Sequence, residues 1–422
     1  MRIILINPPA RFIQHESIVL PPLGLMYIGT VLKTAGYDVE IKDAFAEGMN
    51  WENFRDYIKG KTPDVVGIGG MSPVIDNTFR AINIARSFTK YIVMGGPHVT
   101  AHGQDTFHQC PEIDFGVIGE GEEVILKLMH ALSTSGSAEG IDGVITKSAP
   151  SNNKRHNIDI NSLPYPDLSM VPYHLYRYPF SKNRYVTTMV TSRGCPYCCT
   201  FCDKSVFGSH WRARSAENIL GEIDEMVNVY NMRSIIFYDD LFTLKKERVI
   251  ELCDGILKRG YDLEWKCEGR VNLADYEVMK LMKRAGCSMI AYGAESGNQY
   301  GLDYLNKHVS LEQIKKAFEL TNKAGIKTMA YFVLGIPVET YQDELRTIQF
   351  AKEIRATYAQ FSILSPYYGT QVYDEAIQKG WYRESGAQNP MDGDLRRPVV
   401  LSENWDEEKL RRILRVAHWK FY

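Results

Sequence analysis

Cys195, Cys199 and Cys202 stand in the spacing C-x3-C-x2-C, within the stretch Cys195-Pro-Tyr-Cys198-Cys199-Thr-Phe-Cys202. Thiolates are soft ligands for iron and zinc, and three this close in sequence can converge on one centre. Spacing alone leaves two chemistries open. A cubane iron–sulfur cluster has four irons, so three cysteines leave one iron free for an outside ligand. A structural zinc wants a fourth protein ligand, which Cys198 or His210 could supply. The chain has 8 cysteines in 422 residues, which is no disulfide framework. Their crowding here points to metal in a reducing compartment.

A second set of residues is acidic. Six runs in the second half read as strands: Tyr185–Val190, Ser234–Tyr238, Leu263–Cys267, Met289–Gly293, Lys327–Leu334 and Ala359–Leu364. Helical stretches separate them, and the cysteine loop follows the first directly. Carboxylates recur where these runs end, at Asp239, Asp240, Glu268, Glu295 and Glu339. Chemistry in a β/α barrel sits on loops after the carboxyl ends of the strands. Acids at several equivalent ends suggest one shared site, with Asp239, Asp240 and Glu268 as candidate catalytic groups. Six strand–helix beats, rather than eight, predict a partial (β/α)6 barrel over residues 185–365.

A third set is rich in glycine. Residues 1–147 alternate strands (Arg2–Ile6, Val39–Ile41, Val65–Gly69, Tyr91–Met94, Phe115–Ile118) with helices. That beat predicts a doubly wound, mostly parallel, Rossmann-like α/β sheet. Its strands end in Asn7-Pro8-Pro9, Gly70-Met71-Ser72, Gly95-Gly96-Pro97-His98 and Gly119-Glu120-Gly121. Ligands of such sheets lie outside these ends, and glycine lets backbone approach a large planar ligand. No G-x-G-x-x-G follows the first strand, and no phosphate loop is present. Residues 148–184 read as a proline-rich linker, polar from Ser148 to Arg155, whose Tyr173, Tyr176, Tyr178 and Phe180 are expected to pack an interface, with the lining of a substrate channel as the alternative. Residues 366–422 read as a small capping or substrate region closed by a helix from Trp405 to Phe421.

The cysteine stretch, with Tyr197 and Phe201 between its ligands, resembles the signature of the radical S-adenosylmethionine (SAM) enzymes. Asn7-Pro8-Pro9, Pro21-Pro22-Leu23-Gly24, Gly95-Gly96-Pro97-His98 and Gly119-Glu120-Gly121-Glu122 are similar to the cobalamin-binding domain that precedes the core in one large class of them. The resemblance covers nearly all of residues 1–365. It implies a 4Fe-4S cluster on Cys195, Cys199 and Cys202, with Cys198 a bystander. It implies SAM at Glu295, Ser296 and the segment from Gly335 to Glu339, with Arg270 near its carboxylate. It implies cobalamin held mainly by backbone at Asn7, Pro8, Ser72, Gly95, Gly96, Pro97, His98, Gly119, Glu120 and Gly121. The Asp-x-His-x-x-Gly motif of other cobalamin domains is missing: Gly96 stands two residues before His98, and Thr100 before His102. His98 is therefore expected to pack rather than to ligate cobalt. A domain that has lost cobalamin is the alternative.

The implied activity is class B C-methylation. Such an enzyme takes hydrogen from an unactivated carbon and transfers a methyl from methylcobalamin, on a peptide, a protein or a natural-product precursor, with an external one-electron reductant. A radical cyclase, ring-contraction or elimination enzyme, with cobalamin assisting or absent, is the rival. A zinc-bearing binding module is a third reading, but it gives the strand-end acids no common task. No second cysteine set follows residue 300, which argues against two-cluster methylthiotransferases. A net charge of -2 gives no electrostatic reason for nucleic acid. No apolar run reaches the ~18 residues of a membrane span, and a cytoplasmic location is expected.

Overall fold

The computed structural model describes residues 1–10, 18–134, 136–149, 158–383 and 399–422. The chain divides into two compact units, with the main division after Thr187; residues 205–207 group with the first.

The first unit carries β1 (Arg2–Asn7), β2 (Asp38–Asp43), β3 (Val65–Gly69), β4 (Tyr91–Gly95), β5 (Phe115–Val117) and β6 (Val144–Ile145). Their order is β2-β1-β3-β4-β5-β6. The first five are parallel and β6 closes the edge antiparallel. The strands form because their apolar runs are buried on both faces. Ile4, Ile6, Val66, Ile68, Ile92 and Met94 share a cluster with Phe54, Ile58, Ala81 and Ile82 of two covering helices. Ile3, Leu5 and Val93, on the opposite face, are equally buried. Each such side chain contributes roughly 1.5–3 kcal/mol by leaving water. The order reverses between β1 and β3, a switch point outside which ligands of open α/β sheets bind.

The proline-rich segment packs on this same unit. Val19 and Arg177 form an antiparallel bridge, and Lys33 Nζ meets Asp167 at 2.6 Å. Tyr176 is fully buried and donates to Asp43 Oδ2 at 2.9 Å. Two short 3-10 turns, Leu168–Met170 and Tyr173–Leu175, replace longer elements, as proline at this density favours. Of the polar loop expected from Ser148 to Arg155, residues 150–155 lie outside the described residues.

The second unit carries β7 (Thr187–Met189), the short antiparallel pair β8 (Ser192–Arg193) and β9 (Arg212–Ala213), then β10 (Ser234–Phe237), β11 (Glu264–Gly269), β12 (Cys287–Glu295), β13 (Lys327–Leu334) and β14 (Tyr358–Ile363). The main sheet runs β7-β10-β11-β12-β13-β14 in chain order, with β10 to β14 parallel. A helix follows each crossover. Ser215 caps one of them, Ala216–Asn228, by accepting from the Asn218 amide. Six strands wound in one direction, with β7 and β14 as its end strands, make the expected partial barrel. Trp265 and Tyr292 face the helix layer, bonding Ala285 O at 2.7 Å and Thr321 Oγ1 at 3.0 Å. Alternation therefore turns Lys266 and Glu268 to the opposite, inner face.

The closing helix spans Glu407–Phe421, with Asp406 as its N-cap and Leu410, Ile413, Leu414 and Ala417 buried. Just before it, Trp405 Nε1 donates to Ile336 O at 3.1 Å and Glu339 O at 2.9 Å. Gly335 has φ 80, and a Cβ there would run into Leu410. Among the described residues, no helix is long and apolar enough to cross a membrane.

Candidate active site

The cysteine loop leaves β8 through Gly194. Its φ is 84, and a Cβ at this position would run into the His210 carbonyl; only glycine fits this close return. Lys204 Nζ donates to Cys195 O at 3.0 Å, and the Cys202 amide donates to Cys199 O at 3.3 Å. The Arg270 guanidinium lies 3.7 Å from the Tyr197 ring centroid, with Nη1 3.9 Å from Cys199 Sγ. A fixed cation thus stands beside one of the three thiols. Desolvation first, then Cys199 and Asp240, pushes the Cys202 thiol up to about 12, although the residue as a whole is exposed; burial also raises Cys195. A metal binding here must displace those protons. Among the described residues, no three Cys, His, Asp or Glu side chains converge on a single-ion site. A zinc asks for sulfurs about 2.3 Å from one point. In a cubane each thiolate takes a different iron and can stand farther from its neighbours.

The strand-end acids have separate tasks. Asp239, expected as a catalytic group, is buried beneath the loop. Its carboxylate accepts from the Thr191 amide and hydroxyl, each at 2.6 Å, and from Ser192 Oγ at 2.5 Å, with Arg248 at 3.8 Å. With both oxygens engaged it holds the entrance of the cysteine loop, a positioning role. Asp240 accepts from the Gly194 amide at 3.2 Å. Burial, then the charge of Asp239, raises its pKa. Glu268 accepts from Lys266 Nζ at 2.7 Å and from Tyr331 OH at 3.3 Å, forming a polar cluster on the inner wall.

Glu295 closes β12 with φ 63, a left-handed conformation that a side-chain-bearing residue holds only under constraint. Lys307 Nζ donates to it at 2.6 Å. Ser296 is fully buried and donates to Glu339 Oε1 at 2.5 Å. The Gly335 amide donates to Glu344 Oε1 at 2.6 Å. Burial pushes Glu339 up to about 7 and Glu344 well above the carboxylate range. The raised pKa of Glu344 favours its protonated form, which can donate to Glu339. Lys307, Lys266 and Glu344 escaped the sequence reading. A lysine on the same face two positions before Glu268 was a usable signal. Lys307 and Glu344 gave none, because their partners lie on other elements.

In the first unit, the glycine-rich ends gather on adjacent strands. Gly69 pairs with Gly95 across β3 and β4, and the Gly70 amide donates to Gly95 O at 2.9 Å. Gly96 has φ 97, and its Cβ would sit 2.9 Å from Gly70 O. At Gly95 a Cβ would meet only Val117 O at 3.9 Å, and at Gly119 nothing within 4 Å. Pro97 opens the short helix Pro97–His102. His98 is buried there, with Nδ1 3.0 Å from Ser72 Oγ and its ring stacked on His102 at 4.2 Å. Burial, then the charge of His102, lowers His98 to about 3 and keeps it neutral. Thr100 Oγ1 accepts from the Gly119 amide at 3.0 Å, tying β5's end to β4's. Pro8 and Glu120 are buried, and Gly121 lies against Ile28. Asn7 donates to Asp43 Oδ1 at 2.8 Å, so its amide braces β2 from β1.

Residues 18–128 match the B12 binding domain, and residues 189–351 match the Radical SAM superfamily. An uncharacterized methyltransferase of Pyrococcus horikoshii is 32% identical over 437 residues, covering 100% of this chain and 92% of its own. The chain belongs to the cobalamin-binding radical SAM family. Another relative is the anaerobic magnesium-protoporphyrin IX monomethyl ester cyclase of Rubrivivax gelatinosus. It is 29% identical over 375 residues, covering 85% of this chain and 67% of its own. The fold is that of the radical SAM methyltransferase TsrM of Kitasatospora setae, solved with cobalamin and a 4Fe-4S cluster. The TM-score is 0.77 at 18% identity, over 99% of this chain and 91% of that one.

The residues present fit the cofactors of this radical SAM family. Cys195, Cys199 and Cys202 offer three thiolates with a guanidinium alongside, a donor set suited to a cluster with one open iron. Glu295, Ser296 and the Gly335–Glu339 segment would hold SAM. The ends of β4 and β5 leave room at Gly95 and Gly119, as a planar corrin requires, whereas a Cβ at Gly70 or Gly96 would strike Met94 or the Gly70 carbonyl. His98 is buried with Nδ1 bonded to Ser72, while its Nε2 is buried without a hydrogen-bond partner among the described residues.

Proposed function

We propose that this radical SAM enzyme is a C-methyltransferase acting on an unactivated carbon. The observation that carries the reading is the pairing in one chain of a thiolate loop braced by charged strand ends with a sheet whose β4 and β5 ends are open at Gly95 and Gly119. When bound, the cluster with SAM supplies hydrogen abstraction, and cobalamin supplies a methyl group to the resulting carbon centre. The chain's own residues bind and orient. Asp239 fixes the start of the cysteine loop. Arg270 offsets charge beside Cys199. Glu295, paired with Lys307, and Ser296, bonded to Glu339, fix the strand end against which SAM would lie. Asp240, with its raised pKa, and the Lys266–Glu268–Tyr331 cluster are available to a polar group of the substrate. The methyltransferase name of the Pyrococcus relative supports the same reading.

A radical cyclase is the second reading, favoured by the Rubrivivax relative, whose name is that of a cyclase. A substrate-independent experiment separates the two. Protein purified anaerobically is assayed for iron, sulfide and corrin, then reduced and mixed with methyl-labelled SAM. The methyltransferase reading expects S-adenosylhomocysteine stoichiometric with bound corrin, besides 5'-deoxyadenosine. Formation of 5'-deoxyadenosine alone, from corrin-loaded protein, would sink it and leave the cyclase. Addition of fractionated small-molecule and peptide pools should then carry label into a carbon-bound product.

A further inference from the structure

Helix Gln299–Tyr304 is joined to helix Leu311–Lys323 by a short turn. Two residues of that turn, Asn306 and His308, hold left-handed backbone at φ 52 and 51. Residues with side chains adopt this conformation sparingly, with Asn among the most tolerant. The surrounding contacts must therefore hold the turn in place.

Those contacts run in two directions. Toward the cysteine loop, Asn306 Nδ2 donates to Cys198 O at 2.6 Å. The Thr200 amide donates to Leu305 O at 3.1 Å, and Thr200 Oγ1 to Tyr304 O at 3.3 Å. Leu305 is buried in a cluster against which Phe201 packs. Toward the strand ends, Lys307 Nζ donates to Glu295, and Lys307 O accepts from Arg270 Nη2. The other terminal nitrogen of that guanidinium is the one beside Cys199 Sγ. Gly293 makes the pairing possible: a Cβ there would run into the Glu295 carboxylate and lie 2.6 Å from Lys307 Nζ.

We infer that residues 304–308 are a strap that fixes the cysteine loop and Glu295 in one frame, with Lys307 as its positioning residue. The side chains of Lys307 and Glu295 are only 10% and 8% exposed. Removing one partner of such a pair leaves the other charge buried and unmatched. Glu295 and the strap must then shift, and Arg270, bonded to the strap's backbone, shifts with them. The strap thus lets the position of the cysteine loop depend on a salt bridge that no cysteine touches.

The test uses the full chain with its cluster reconstituted anaerobically and no SAM present. Two quantities are followed: the rate at which a ferrous chelator removes iron, and the electron paramagnetic resonance spectrum of the reduced cluster. Lys307→Met should reconstitute to the native iron and sulfide content. It should then lose iron about fivefold faster or more, a factor that corresponds to a modest loss of restraint, with a broadened spectrum. Lys307→Arg, which can keep the ion pair, should restore both. Asn306→Ala cuts only the loop side at an exposed hydrogen bond and should speed iron loss to a smaller extent. Unchanged iron loss and spectrum in Lys307→Met, with SAM affinity alone reduced, would overturn the strap and make Lys307 a simple cofactor contact. If Lys307→Met does not fold, Asn306→Ala decides by the same readout, native iron loss again overturning the proposal. Methyl transfer enters neither measurement, so the outcome is independent of the proposed reaction.

Discussion

At the carboxyl ends of β3, β4 and β5 the chain places Gly70, Gly95–Gly96 and Gly119. At those of β10 to β13 it places Asp239–Asp240, Arg270, Glu295–Ser296 and Gly335–Glu339. Both sheets are mostly parallel, and both gather these residues at the same, carboxyl end. The first leaves out side chains at Gly95 and Gly119, and the second installs charges that are already paired. A large planar ligand needs room and dispersion contact. A small charged one needs groups fixed in advance, since unpaired charge in a buried site is costly. The two regions should consequently fail in different ways. Added atoms harm the first, and removed partners harm the second.

The largest effect belongs to the second region. Cys199→Ala should lose the cluster and all reductive cleavage of SAM, measured as iron per chain and 5'-deoxyadenosine. Retention of native iron would break the assignment.

Next comes a pair of substitutions that sharpens what the glycines do. Gly96 occupies a backbone region open almost only to glycine, and its Cβ would press on Gly70 O at 2.9 Å. Gly96→Val should destabilise the first unit by roughly 2–4 kcal/mol, lowering its unfolding midpoint whether or not corrin is present. This substitution therefore tests the fold rather than the ligand. Gly95→Ala is the cleaner probe, since its Cβ meets nothing closer than 3.9 Å. The fold should shift by about 1 kcal/mol or less, while corrin uptake falls. Equal corrin uptake by Gly95→Ala and native protein would remove Gly95 from the ligand surface.

A smaller effect concerns pH. Burial raises Glu339 from 4.5 to about 7 in the folded chain. A raised carboxyl pKa gives stability that is fully present below the unfolded value and lost as pH climbs through the folded one. The second unit should therefore weaken between about pH 4.5 and 7, by at most about 3 kcal/mol from this group. Glu344→Gln keeps an acceptor for the Gly335 amide and gives Glu339 a permanent donor. It should flatten the slope, read as the difference in urea midpoint between mildly acid and neutral buffer. An unchanged slope would show that the shared proton is not its source. The smallest effect is at Cys198, whose side chain is exposed. Cys198→Ala should stay within about 0.5 kcal/mol of native, with full iron content.

Much of this was legible in the residues. β3 and β13 were read to the residue, because each is a compact apolar run closed by glycine. The six-strand barrel and both sets of strand ends followed from periodicity and punctuation. β7 came out shorter than Tyr185–Val190 because Ser192–Arg193 turns away to pair with Arg212–Ala213. β12 came out longer at both ends than Met289–Gly293, because Cys287 pairs with Trp265 and Glu295 pairs with Phe332 across a register shift. The task of Asp239 was hidden, since spacing shows an acid at a strand end but not that Thr191, 48 positions earlier, occupies its oxygens. Lys307 was hidden for the same reason. Local pattern reports which face a residue occupies, and partners chosen across the fold leave no trace in it.

Trp405 and Leu410 close over the backbone of Ile336, Glu339 and Gly335 from far along the chain; the Trp405–Ile336 bond spans 69 residues. At the pace of synthesis this is a delay of roughly 3–14 s. Throughout it, the strand end expected to back the adenine has no lid of indole and leucine behind it, although the cysteines are already made. Assembly has an order imposed by the sequence: the thiols emerge first, and the backing of the Gly335–Glu339 strand end follows later. Iron delivered early would meet a loop whose nucleotide side is still soft, so productive maturation should favour chains whose final helix has already docked.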